Sequence, residues 1–302
     1  MKKGIVALFC CGIIVSSCGL FDNQNTPQGY VKHCVRLLDK QALYSDTPEW
    51  KEAKAQILSE AAELTDLEGA HELVSKAARA AGGKHSQLIK PVKDTASYPE
   101  IAPEVKLLDG GVLYVLLPAH SGVKVKDSLY TWSVLNFLQE HLDAPGVIID
   151  LRDNRGGNMY PMITAVSPLL PNDNVITFKG LKRNSPLPLD YITRVAGVSH
   201  DSVKKFPAST PIAILTDDWT GSSGEATLIC FRGLPNVRTF GAGTAGYASA
   251  NIVCPLADGY TLLVTTSCDK ARTGEIFCDD PILPDIETGA PLEDALSWIL
   301  SK

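Results

Sequence analysis

The chain has 302 residues, 45% of them apolar, and a formal net charge of −6. That length suffices for one large domain or two modest ones, and a net acidic chain without a basic block argues against nucleic acid as a partner. The cysteines form no CxxC or Cys/His pair at ligand spacing, so no metal site is expected, and no cofactor is implied.

Residues 1–18 have the layout of an export signal: Lys2 and Lys3, an apolar run ending at Val15, then small residues. The run is too short to span a bilayer, and no later segment reaches that length. Val15-Ser-Ser-Cys18 resembles a bacterial lipobox, which implies that Cys18 is lipidated and becomes the mature N-terminus. Gly19 stands where Asp would mark inner-membrane retention in enteric bacteria. The expected location is therefore the bacterial outer membrane, with the chain lipid-anchored and facing the periplasm or the cell surface.

Residues 19–29 are polar and read as a tether; residues 30–90 read as an N-terminal helical subdomain. Thr47-Pro48 is an N-cap and first helical residue, followed by a stripe of Trp50, Ala53, Ile57, Ala61 and Leu64. A second helix starts after Thr65 or Asp66 and ends at Gly82-Gly83, a left-handed stop. A Pro-containing connector leads to residues 104–302, where apolar strands (112–117, 147–151, 212–215) alternate with helices (128–142, 159–170, 225–233). This alternation predicts an α/β layered core. Residues 177–210 lack a clear period and read as an insertion, long enough for a lid or binding loop. Residues 251–278 form a C-terminal β-rich segment, and a last helix covers 292–300. Beyond Cys18 stand Cys34, Cys230, Cys254, Cys268 and Cys278. Cys268 and Cys278 flank a turn and are placed to pair across a hairpin, whereas Cys230 reads as a buried apolar filler.

The most informative run is Pro211 to Ala226. An apolar strand enters the turn Thr220-Gly-Ser-Ser-Gly224, and a helix leaves it. Such a turn lifts a hydroxyl to the rim of a sheet beside the free N–H groups of a helix start, as a nucleophilic serine requires. Upstream, the strand Val147 to Leu151 opens into Arg152-Asp-Asn-Arg-Gly-Gly157, whose glycines let backbone N–H groups approach a ligand. No Gly stands two residues before Ser222, so the G-x-S-x-G elbow of α/β-hydrolases is not met.

Together these segments resemble the C-terminal-processing (tail-specific) serine proteases and their tricorn-type relatives. That family carries "IDLRxNxGG", "TxSSxE", "GxxTxG" and a late "PD". The counterparts here are Asp150 to Gly157, Thr220 to Glu225, Gly241 to Gly246 and Pro284-Asp285. The resemblance implies a ClpP/crotonase-like core, a peptide or protein substrate and Ser222 as nucleophile. Gly157 and Ser223 would supply the oxyanion-hole N–H groups. Residues 86–111 leave no room for the PDZ module common in the family. Ser–Lys members place their lysine where Tyr247 stands; tricorn-type members use a histidine after the helical lead-in, which falls on His85. An ordinary histidine pKa would make the rate rise with pH through about 6–7. His120, directly after the first core strand, is the runner-up base. The group that orients the base falls near Asp279, Asp280 or Glu275. His33, His71, His141 and His200 read as surface residues. Glu225 and the Asp150–Arg152 pair read as structural. The sequence thus predicts a lipid-anchored serine peptidase, with a non-catalytic lipid- or peptide-binding lipoprotein on the same scaffold as the alternative.

Overall fold

The computed structural model describes residues 24–91, 101–120 and 124–302, so the export signal and Cys18 lie outside the described residues. The chain opens with three helices: α1 (Pro27–Gln41), α2 (Pro48–Ala62) and α3 (Leu67–Gly82). Each has a side-chain N-cap, from Thr26, Thr47 and Asp66, and α3 stops where Gly83 takes φ 75°. The expected tether is therefore shorter than 19–29. Thr26 caps α1 on the Gly29 N–H at 3.2 Å, and Pro27 is its first residue.

The remaining elements follow in chain order. They are β1 (Gln87–Ile89), β2 (Glu104–Leu107), β3 (Leu113–Leu116), α4 (Lys124–Glu140), β4 (Val147–Asp150) and α5 (Met159–Ala165). Next come β5 (Asn174–Gly180), β6 (Asn184–Pro188), α6 (Leu189–Val195), β7 (Ile212–Thr216), α7 (Ser223–Phe231) and β8 (Val237–Gly241). The chain closes with β9 (Ser249–Pro255), β10 (Thr261–Lys270), β11 (Ile276–Phe277), β12 (Ile286–Glu287) and α8 (Pro291–Leu300).

Two sheets organise these strands. The first has the order β12-β8-β7-β4-β3-β2, parallel throughout except for β2. Its central strands read as unbroken apolar runs because both faces are covered. Val115, Ile149 and Ile214 point to the core shared with α4, α5 and α7, and Tyr114, Ile148 and Leu215 to the core under α8. The second sheet is built on β10, which pairs antiparallel with β1, β5, β9 and β11. Leu262 and Val264 of β10 pack on Tyr30, Trp50 and Val74, so this sheet carries the three N-terminal helices.

The α/β core and helical lead-in stand as predicted. The 177–210 insertion does not: it is a hairpin of β5 and β6 followed by α6, with Leu189 and Ile192 in the main core. The long 159–170 helix ends at Ala165 and gives way to a 3-10 turn containing Pro168. His33 is buried in α1 rather than exposed, and half-buried His71 pairs with Asp258 at 2.7 Å. Cys268 and Cys278 form the expected disulfide, and Cys34, Cys230 and Cys254 are buried thiols. Among the described residues no helix is long and apolar enough to cross a membrane.

Candidate active site

The loops that follow β4 and β7 meet at the C-terminal edge of the parallel sheet, the usual place for a site in an open α/β fold. Ser222 caps α7 with φ 54° and ψ −115°, a left-handed conformation costly for a residue with a side chain. What holds it there is the carboxylate of Glu225, 0% exposed. Glu225 accepts the Ser222 N–H at 2.9 Å, the Tyr247 N–H at 2.7 Å, the Gly246 N–H at 2.9 Å and the Thr244 hydroxyl. Burial raises the Glu225 pKa, and these donors oppose the rise. Asp217 fixes the approach to the turn by accepting from the Asp153, Trp219 and Thr220 N–H groups.

The glycine loop is clamped to this turn. The Gly221 N–H donates to the Asn154 carbonyl at 2.8 Å, and the Ser223 hydroxyl donates to the Gly157 carbonyl at 2.5 Å. The His120 N–H donates to the Gly156 carbonyl and the Asn158 N–H to the His120 carbonyl, at 3.0 and 2.9 Å. A Cβ at Gly157 would stand 1.8 Å from that His120 oxygen, so only glycine, here at φ 117°, passes. The N–H groups of Gly157 and Ser223 take no part in these bonds. The structure thus brings Ser222, Ser223 and Gly157 together.

The two histidines separate clearly. His85 follows α3 and is fully buried. Its Nδ1 lies 2.9 Å from the Ser249 hydroxyl, and its ring meets Tyr247 edge-on at 5.2 Å. Ser249 and Ser222 line the same pocket. Burial, reinforced by the charge of Lys84, lowers the His85 pKa to about 4, so the ring is neutral at neutral pH. His120 instead sets its Nε2 2.6 Å from Asp127 Oδ1 while its backbone holds the glycine loop. Tyr247, at the place of a lysine base, lies 4.6 Å beneath the Lys84 ammonium.

The expected orienting carboxylates lie elsewhere. Glu275 pairs with Arg232 on an exposed turn, Asp279 faces the Tyr44 hydroxyl at 3.4 Å, and Asp280 is exposed. The group against His85 Nδ1 is Ser249, which sequence reasoning missed, as it missed Asp269 in the pocket beside Ser222. Asp269 is 2% exposed, and burial together with the Glu225 charge raises its pKa. The Asp150–Arg152 pair is present at 2.6 Å.

This arrangement of elbow, glycine loop and parallel sheet has counterparts among known proteins. Residues 112–288 match Peptidase family S41. The chain belongs to that family. It is 35% identical over 285 residues to a nisin-resistance protein of Lactococcus lactis subsp. lactis, spanning 92% of this chain and 88% of that protein. The solved structure of a lipoprotein from Streptococcus agalactiae superposes with a TM-score of 0.83 at 30% identity, covering 94% of this chain and 99% of that one. The photosystem II D1 C-terminal processing protease shares the fold at a TM-score of 0.59 and 10% identity, over 87% of this chain and 93% of its own.

Proposed function

We propose that the protein is a serine peptidase with Ser222 as nucleophile and His85 as base. The observation that carries this reading is the placing of His85, whose Nδ1 is held by Ser249 on the wall of the pocket that Ser222 also lines. An Nδ1–H donated to the Ser249 hydroxyl leaves Nε2 with its lone pair, the tautomer a base requires. In the acylation step Nε2 takes the Ser222 proton as Oγ attacks the peptide carbonyl. The oxyanion is received by the Gly157 and Ser223 N–H groups, each worth about 3–4 kcal/mol in sites of this kind. Nε2 then gives the proton to the leaving amine, and water hydrolyses the acyl-enzyme. A hydroxyl behind the histidine fixes its orientation but stabilises the imidazolium less than a carboxylate would.

The Val15-Ser-Ser-Cys18 box and the likeness to a streptococcal lipoprotein support a lipid-anchored, envelope-associated protein. Gly19 after Cys18 makes the outer membrane the version to test. Fatty-acid labelling that incorporates nothing into the wild-type chain would remove the anchor. The name of the lactococcal relative makes nisin the first substrate to try.

A fluorophosphonate probe tests the catalytic reading. The wild type should label on the peptide containing Ser222, and Ser222→Ala should lose both label and peptidase activity while keeping its fold. Equal labelling of Ser222→Ala would dismiss the assignment, and a wild type inert to probe and peptide would favour the binding lipoprotein.

A further inference from the structure

The pocket beside Ser222 contains two buried acceptors with no partner among the described residues. Asn251, 4% exposed, spends its amide on the His85 carbonyl at 3.5 Å and leaves Oδ1 unpaired. Asp269, 2% exposed, likewise has Oδ1 unpaired. Buried polar atoms are nearly always satisfied, so two orphans lining one pocket mark a place built for a donor. The pocket opens to solvent and its interior space is about 40 Å³, room for the polar end of one side chain. Its other walls include Met159, Phe178 and Ala226, which are apolar.

From this juxtaposition we infer that the pocket selects a lysine-type residue on the acyl side of the cleaved bond. The aliphatic stem lies along Met159, Phe178 and Ala226, and the terminal ammonium, whose charge favours the ionised form of Asp269 against its burial, donates to Asp269 and Asn251. A long side chain of this kind buries its methylenes against apolar surface while its head seeks acceptors. An apolar side chain of the same length would leave both oxygens dry and unpaired, the arrangement by which polar pockets reject isosteres. A guanidinium brings five donors to two acceptors and is matched less well. The inference rests on the peptidase reading for its place in the reaction, but the recognition itself needs no turnover.

The test compares two peptides that differ only by lysine or norleucine at the acyl-side position. For the wild type, kcat/KM should favour lysine by at least about tenfold, as expected for a desolvated charge pair. In Asp269→Asn, which keeps the shape and removes the charge, the ratio should fall towards one. A thermal melt reports whether that variant folds. If it does not, the wild-type ratio and protection of Ser222 from the fluorophosphonate probe by n-butylamine decide the matter. Norleucine cleaved as well as lysine by the wild type would overturn the inference while leaving the peptidase reading intact. If Ser222 never labels, the peptidase reading fails, and calorimetry of both peptides on the full chain still judges the pocket. Equal binding there would overturn the inference.

Discussion

With His85 as the proposed base, it is the residue on which the pH behaviour should turn. Its folded-state pKa of about 4 lies below the ordinary value near 6.5. Acylation should therefore rise with pH through about 4 and stay flat through neutrality, rather than rising through 6–7 as an exposed histidine would dictate. A probe-labelling rate measured from pH 3 to 8 checks this, and a midpoint above 6 would show that His85 is not the group titrating. The same shift has a stability consequence of defined sign. Between 6.5 and 4 the unfolded chain takes up a proton that folded His85 refuses, so this contribution is complete above 6.5 and is lost as pH falls towards 4. Gly157 offers a test at the same scale. With an alanine Cβ 1.8 Å from the His120 oxygen, the loop must move. Gly157→Ala should lower kcat by roughly 10²–10³-fold, the usual cost of a lost oxyanion donor.

At the scale of elements, legibility followed how locally each feature is encoded. The β3, β4 and β7 strands are visible because both faces are buried, and α2 and α3 because Thr47-Pro48 and Asp66 cap them. The same Thr-Pro signature begins α1 at Thr26-Pro27 and was outweighed by the polar stretch around it. The β5–β6 hairpin was hidden because β6 carries Pro186 and Pro188 and is half exposed, as an edge strand can be. Ser222 and Gly157 sit inside continuous motifs and could be read directly. Ser249 and Asp269 could not, because sheet register delivers them: β9 and β10 pair Ser249 with Cys268, next to Asp269. The Cys268–Cys278 disulfide ties β10 to β11 at that same point. Cys278→Ser should cost about 2–3 kcal/mol by the loop-closure estimate, read as a lower denaturant midpoint.

For the whole molecule, the decisive contact lies between the N-terminal helices and the second sheet. Trp50, fully buried, stands in that layer with its Nε1 donating to Asp39 at 3.0 Å. Trp50→Ala should destabilise by about 3–5 kcal/mol in urea unfolding, the range for a large core truncation. A loss below 1 kcal/mol would mean that the helical layer contributes little to the fold.

The pairing of β1 with β10 also orders events in time. His85 precedes β1 by two residues, and Ser249 opens β9; both strands are seated by β10, the last long strand of the chain. In an unfolded chain Ser222, His85 and Ser249 are unrelated points on a string. They converge when residues 261–270 arrive and join the sheet. The His85–Ser249 contact thus depends on the seating of both flanking strands by β10.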